Sequence, residues 1–461
     1  MAINFHAGLH HLAAAFNHLG TVLRIINHIL LLPLEIMFTQ DSTNPFTPSA
    51  GRLQITGYIR FIHFWDDYSG YNEYCNQTLE NSCHWPQTDG VAYKILIAPD
   101  KFKGTLTAGQ AAKAIARGWK AARPKDKLTQ LPISDGGDGF GPLMANALHA
   151  SPIPIDSKDA AGNKIEALIW QTDDRVTLIE SANLTGLAML PEKQRNPLAV
   201  DSAGLGLALQ SDAAQNSSHC FIGIGGSATN DGGFGMATAL GWSFINKDQQ
   251  PISSWPDLTQ LRSIQSPETQ LSFPVTTAVD VQNPLLGPNG CIQVYGPQKG
   301  LREEDIPKAE AALTRLAEVW ESQTGEDAAG LPGAGAAGGL GFGLHCFAGA
   351  EIRSGFEIYA ETAGLEELLK EADVVVTGEG SMDRQTVMGK GVGQLAKMAR
   401  KNGCRCLGLA GKVEDHPALT DYLEDCRALT DLTSPAEAEK DAAQWLEKLA
   451  RNTARSLKSV T

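Results

Sequence analysis

Two sets of residues in this chain have the types and spacing to do chemistry together. Seven of the nineteen residues from 223 to 241 are glycine, directly after the apolar run Cys220-Phe221-Ile222-Gly223-Ile224, with Ser227, Thr229 and Asn230 interleaved. Such a segment turns backbone amides inward on an anion, adds hydroxyl donors, and presents the positive end of the helix that follows. Phosphate binding is the chemistry this suggests; a tight turn with close helix packing is the alternative for one glycine cluster. Lysines recur beside glycines or strand ends, at Lys101, Lys103, Lys299, Lys390 and Lys412, where an ammonium neutralises phosphate or a substrate carboxylate. Acids share the bias: Asp100, Asp135, Asp138, Asp231, Asp280, Glu379 and Asp383. Carboxylates so placed suit magnesium and the orientation of an attacking hydroxyl, the two demands of phosphoryl transfer. Aspartate also favours turns and helix caps, so each acid alone says little.

Two familiar nucleotide motifs bear on the choice. Gly223, Gly225 and Ala228 satisfy the loose dinucleotide pattern G-x-G-x-x-G/A, leaving a nicotinamide-dependent dehydrogenase as the alternative function. The acid expected about twenty residues later falls near Asp248, in the polar run Asn246-Lys247-Asp248-Gln249 and not at a strand end, which counts against it. No G-x-x-x-x-G-K-[ST] occurs, so the usual P-loop is excluded.

The elements that must hold these residues read as α/β. A buried strand at 94–98 runs into Pro99-Asp100-Lys101-Phe102-Lys103-Gly104, and a helix follows. Thr107 and Gln110 have capping-box spacing, Ala108, Ala111, Ala112, Ile115 and Trp119 share a face, and Arg123-Pro124 stops the helix. A second strand, Leu128 to Ile133, leads through Ser134-Asp135-Gly136-Gly137-Asp138-Gly139 into a second helix. Strands at Ile165–Trp170 and Val176–Ile179 alternate about a turn and read as antiparallel. The strand-loop-helix grammar returns at Cys220, at Ala372–Thr377 before Gly378-Glu379-Gly380, and at Cys406–Leu409 before Ala410-Gly411-Lys412. The run Gly333-Ala334-Gly335-Ala336-Ala337-Gly338-Gly339 reads as backbone pressed against a neighbour. The arrangement expected is a doubly wound α/β domain interrupted by an inserted mixed α/β domain, with the site in the cleft between them.

Composition bounds the partners. The chain has 461 residues, 43% hydrophobic and 20% charged, with 38 basic against 52 acidic side chains and a net charge of −14. Broad attraction to nucleic acid or an anionic membrane is therefore not expected, and any anion must be held locally. Eight cysteines show no paired zinc spacing and suit a reducing cytoplasm. Residues 1–92 carry three of the 38 basic residues but seven of the eleven histidines. Their most apolar stretch, Leu19 to Phe38, holds Arg24, His28, Pro33 and Glu35 and makes neither a membrane span nor a clean signal peptide. They are expected to be an appended segment outside the working protein.

Six motifs then occur in the order of the type I glycerate kinase family, which the chain resembles from about 94 to 430. They are Pro99-Asp100-Lys101-Phe102-Lys103-Gly104, Ser134-Asp135-Gly136-Gly137-Asp138-Gly139, the stretch Gly223 to Gly233, Asp280-Val281-Gln282-Asn283-Pro284-Leu285, Gly296-Pro297-Gln298-Lys299-Gly300, and Thr377-Gly378-Glu379-Gly380-Ser381-Met382-Asp383. The resemblance implies ATP-dependent phosphorylation of glycerate, typically to 2-phosphoglycerate, with Mg2+. It also implies a flavodoxin-like domain at 93–155 and 351–461, interrupted by a mixed α/β domain at 156–350. On that basis Asp280 is expected to orient the glycerate hydroxyl, with Lys101, Lys103 and Lys299 neutralising charge. Gly225, Gly226, Ser227, Thr229, Gly378, Glu379 and Gly380 are expected at the nucleotide, Asp100, Asp135, Asn230 and Asn283 at glycerate, and Asp231, Glu379 and Asp383 at the metal. A chain beginning at Tyr93 is expected to stay soluble and active; insolubility or inactivity beside an active full-length chain contradicts the appended-segment reading.

Overall fold

A computed structural model describes residues 92–102, 104–387, 391–414 and 417–457. The expected appended segment, apart from its last residue, lies outside these, as do Lys103 and Lys390. Strand β1 (Lys94–Ile97) sends Ile95 and Ile97 into one core and Leu96 into another, so a wholly apolar run demands cover on both faces. Helix α1 (Ala108–Ala122) covers the first face, with both capping-box bonds between Thr107 and Gln110 formed and Ala111, Ala112, Ile115 and Trp119 turned inward. Strand β2 (Lys127–Gln130) pairs with β1 in parallel. It is shorter than expected because Pro132 has no N–H, although the Leu131 and Ile133 amides still reach the carbonyls of Ile97 and Pro99.

Helix α2 (Phe140–Leu148) then leads into a second sheet. Its strands are β3 (Ser151–Lys158), β4 (Lys164–Gln171), β5 (Val176–Glu180), β6 (His219–Gly223), β9 (Val275–Val279) and β10 (Glu351–Ser354), while β7 (Ser243–Asn246) and β8 (Leu261–Gln265) form a separate pair. The sheet order is β10-β9-β6-β5-β4-β3, with β4 antiparallel to both β3 and β5 and the other pairs parallel. The whole of β3 pairs with β4, and β10 pairs with β9, so this sheet begins at Ser151 and ends at Ser354, beyond the expected 156–350 at both ends. Helices α3 (Ile306–Thr324) and α4 (Ala336–Ala348) pack on one of its faces.

Beyond α5 (Gly355–Thr362) the chain returns to the first sheet with β11 (Val374–Met382), helix α6 (Gly391–Lys401), β12 (Arg405–Val413), β13 (Asp425–Ala428) and helix α7 (Ala442–Ser456). That sheet is parallel throughout, in the order β13-β12-β11-β1-β2. Two elements run longer than expected. Gly378-Glu379-Gly380 lies within β11 and Ala410-Gly411-Lys412 within β12, because the glycines let the two strands stay paired to their ends, with Glu379 opposite Ala410. Cys404 and Cys406 are buried free thiols on one face, as their spacing suggests.

One core joins the sheets: Leu96, Val375 and Cys406 of the first share it with Trp170, Leu178 and Ala278 of the second, and Phe140 and Phe356 fill between. Both sheets belong to one compact unit. Among the described residues no helix is long and apolar enough to cross a membrane. The discontinuous sheet is closed by α1 on α7, where Gly118 lies against the backbone carbonyl of Glu447 with no room for a methyl group. Helix propensity alone makes Gly118→Ala stabilising by ~1 kcal/mol. The contact instead predicts a loss of about 1–3 kcal/mol from overpacking, read as a lower Tm; a raised Tm contradicts the packing.

Candidate active site

Parallel strands present their carboxyl ends along one edge, where loops collect. Here the edges of both sheets converge. From the first sheet come Asp100 and Lys101 after β1, the loop Ser134–Gly139 after β2, and Glu379 in β11; from the second come Glu180 ending β5, the glycine-rich loop after β6, and Asp280 after β9. The two sets meet through bare backbone. A Cβ on Gly225 would overlap the Cα of Gly137, and one on Gly137 would crowd Lys101 Nζ and the Asp135 carboxylate.

Lys101 stands at the centre. Its Nζ is 3.8 Å from Asp135 Oδ1 and donates to the Asp138 carbonyl at 3.3 Å. Burial works against its charge, but Asp135, Asp100, Asp138 and Asp280 outweigh that and hold the ammonium above its ordinary value. Asp100 shows the cost of the same crowding. Burial, then the Asp135 carboxylate, pushes its carboxyl from 3.8 up to about 7, against the pull of Lys101 and its amide. Glu379, buried, accepts from the Thr386 hydroxyl at 2.7 Å, and the same hydroxyl accepts from the Asp383 amide at 3.0 Å.

A second cluster lies deeper in the mixed-sheet body. The Ser227 and Thr229 hydroxyls bond each other at 3.0 Å, and Ser227 Oγ also accepts the Thr229 amide. Lys299, buried, donates to the Thr229 carbonyl at 2.7 Å; burial pulls its ammonium down to about 8, against Cys291 and Asp231. The glycine and alanine run presses on this loop as expected. Ala337, Gly338 and Gly339 all take left-handed φ, at 55°, 73° and 85°, and Gly338 packs against the Thr229 carbonyl. Asn230, fully buried, has neither amide atom partnered. Such a group costs about 1–3 kcal/mol unless something supplies its bonds.

The structure thus brings Asp100, Lys101, Asp135, Asp280 and Glu379 together, with Gly225 and Gly226 alongside. It does not bring Asp231 to Glu379 and Asp383. The Asp231 carboxylate is fully buried and accepts from the Ser202 amide and hydroxyl and from the Gly233 and Gly235 amides, bracing the start of the helix at Phe234–Ala239. Among the described residues no three acids, histidines or cysteines are grouped to hold a metal. Asn283 is also engaged, donating to the Asn289 carbonyl and accepting from the Tyr295 hydroxyl. Lys412 is exposed, 3.9 Å from Glu414. Asp248 sits in the turn directly after β7, in the connection to β8 and not at a strand end of either main sheet, where its amide donates to Asn246. Sequence reading missed Glu180 and Thr386; an acid closing the uncharged run Val176-Thr177-Leu178-Ile179 was the available signal for the first.

Comparison with known proteins bears on the family of the chain. The model of the glycerate kinase family matches residues 95–458. A glycerate kinase of Halalkalibacterium halodurans is 36% identical over 78% of this chain and 97% of its own length. A glycerate 2-kinase of Escherichia coli is 36% identical over 70% of this chain and 86% of its own. The chain belongs to the glycerate kinase family and is an enzyme of that kind. A crystal structure assigned to glycerate kinase 2 of Salmonella typhimurium superposes with a TM-score of 0.66 at 35% identity, covering 79% of this chain and 98% of that one. Nothing in these relatives supports the dehydrogenase alternative.

Asp100 offers a test of the electrostatics. It binds its proton more tightly folded than unfolded, so its contribution to stability is full below 3.8 and is lost as pH rises towards about 7. Asp100→Asn keeps the shape and removes the charge. Its Tm is expected to exceed the parent's by at least about 2 °C at pH 8, and by less at pH 5; an equal or lower Tm at pH 8 contradicts the crowding.

Proposed function

We propose that this enzyme transfers the terminal phosphoryl group of ATP to a hydroxyl of glycerate, giving 2-phosphoglycerate and ADP. The observation that carries the reading is one ammonium, Lys101, ringed by carboxylates where the strand ends of both sheets meet, in a chain of the glycerate kinase family. The parallel sheet, counted by its own strands, runs 2-1-3-4-5, the flavodoxin-like order. That supports a flavodoxin-like domain interrupted by the mixed one.

Each residue takes a role that its chemistry suits. Asp280, exposed at the rigid end of β9 and within the field of Lys101, orients the attacking hydroxyl and accepts its proton as the new P–O bond forms and the bond to ADP breaks. A strong base is unnecessary in a loose transition state. Lys101 neutralises charge on the transferred group. The amides about Gly225 and Gly226, with Ser227 and Thr229, line the phosphates, and the unpartnered Asn230 amide binds glycerate. Lys299 supports that loop through the Thr229 carbonyl. Asp100 and Glu379 offer the hard oxygen donors that suit Mg2+, which binds by one or two carboxylates besides phosphate, and the Thr386 hydroxyl that donates to Glu379 also ties the Asp383 backbone amide, and so the Asp383 position, to this group. When bound, Mg2+ neutralises charge between the phosphates.

Phosphorus NMR of the purified enzyme with ATP, Mg2+ and D-glycerate is expected to show 2-phosphoglycerate; 3-phosphoglycerate or no product contradicts the reading. Asp280→Asn is expected to lower kcat by about a hundredfold or more while the Kd for ATP changes little. Unchanged turnover rejects the role of Asp280.

A further inference from the structure

Glu180 ends β5 as a buried carboxylate, and the reaction described above makes no use of it. Its two oxygens are both engaged across the gap between the sheets' loops. Oε1 accepts from the Gly139 amide at 2.7 Å and Oε2 from the Gly141 amide at 3.0 Å. The Gly139 N–H belongs to the same peptide group as the Asp138 carbonyl, and that carbonyl accepts from Lys101 Nζ. A peptide group is planar, with its C=O and N–H pointing in opposite directions. Holding the N–H therefore sets the direction of the C=O.

The local sequence leaves this peptide in need of such a hold. Gly139 has φ at +91°, a conformation that glycine enters and leaves at little cost, and the bonds that brace the rest of the loop, to Ser134, Asp135 and Gly137, hold the Gly136, Gly137 and Phe140 amides and not that of Gly139. Burial pushes the Glu180 carboxyl up, and the bonds from the Gly139 and Gly141 amides oppose that shift.

We infer that Glu180 is a positioning residue: by gripping the Gly139 and Gly141 amides it fixes the Asp138–Gly139 peptide, whose carbonyl aims the ammonium of Lys101 at the transferred phosphoryl group. The inference rests on the proposed role of Lys101. Gly141 lies in the first turn of α2, so Glu180 also caps that helix from outside. A capping role alone would lower stability and leave the chemistry of the folded enzyme intact.

The test combines Glu180→Gln, Lys101→Ala and the double variant, each measured for kcat, for KM with ATP and glycerate, and for Tm. Glu180→Gln keeps the size but replaces one acceptor oxygen by a donor. It is expected to lower kcat about 10–100-fold, the scale of a misplacement near 1 Å, with both KM values within about threefold of the parent. Glu180→Asp keeps the charge and is expected to fall between parent and Glu180→Gln. In the Lys101→Ala background, Glu180→Gln is expected to cost less than about twofold more, because both changes remove the same effect. Parental kcat in Glu180→Gln, a lowered Tm with kcat unchanged, or losses that multiply in the double variant overturn the inference. Parental kcat in Lys101→Ala instead rejects the active-site reading itself, and so is told apart. Should Glu180→Gln fail to fold, the same comparison made with Glu180→Asp decides.

Discussion

The site depends on how closely two stretches of backbone can approach. The loop after β2 and the loop after β6 touch at Gly137 and Gly225 with no side chain between them, and this contact lets acids from two sheets gather round one lysine. Any larger residue there would separate the strand ends and dilute the field that the carboxylates and Lys101 make together. The gathering is electrostatically expensive. Asp100, driven up to about 7 by burial and by Asp135, records that expense within the resting protein. Proteins tolerate such crowding where chemistry needs it, and pay in stability elsewhere.

The deeper cluster shows the same pattern in a different form. Three successive left-handed residues, one of them Ala337, press on the glycine-rich loop, and Asn230 is sealed in beside them without a partner. Strained backbone and an unsatisfied buried amide persist only where surrounding structure holds them and a bound group gives them purpose. Around them the loop is stiff. Asp231 gathers four donors, and Lys299 holds the Thr229 carbonyl, so the segment reaches the site with little freedom left to lose.

Much of this was legible in the chain. Apolar runs such as Lys94–Ile97, the Thr107 capping box and the glycine-rich loop after Cys220 declare themselves locally, because strand period, helix caps and positive φ are properties of a few neighbouring residues. Element ends were less legible. β11 and β12 run on through their glycines because each strand's pairing with the other outweighs glycine's tendency to break a strand. The acids at strand ends were visible as a group, but their partners were not: Asp231 and Glu379 read alike in sequence, yet one braces a helix start while the other accepts from Thr386.

Local chemistry by itself determined that this is an α/β chain with phosphate-suited loops and acids at its strand ends, since each of those features is written within a dozen residues. Tertiary structure alone decided which of them meet. Lys101, Asp135 and Asp280 lie far apart along the chain, and Glu180 reaches Gly139 from another sheet. Those distances are set by sheet order, shared core and backbone contact, all of which arise only when remote segments pack.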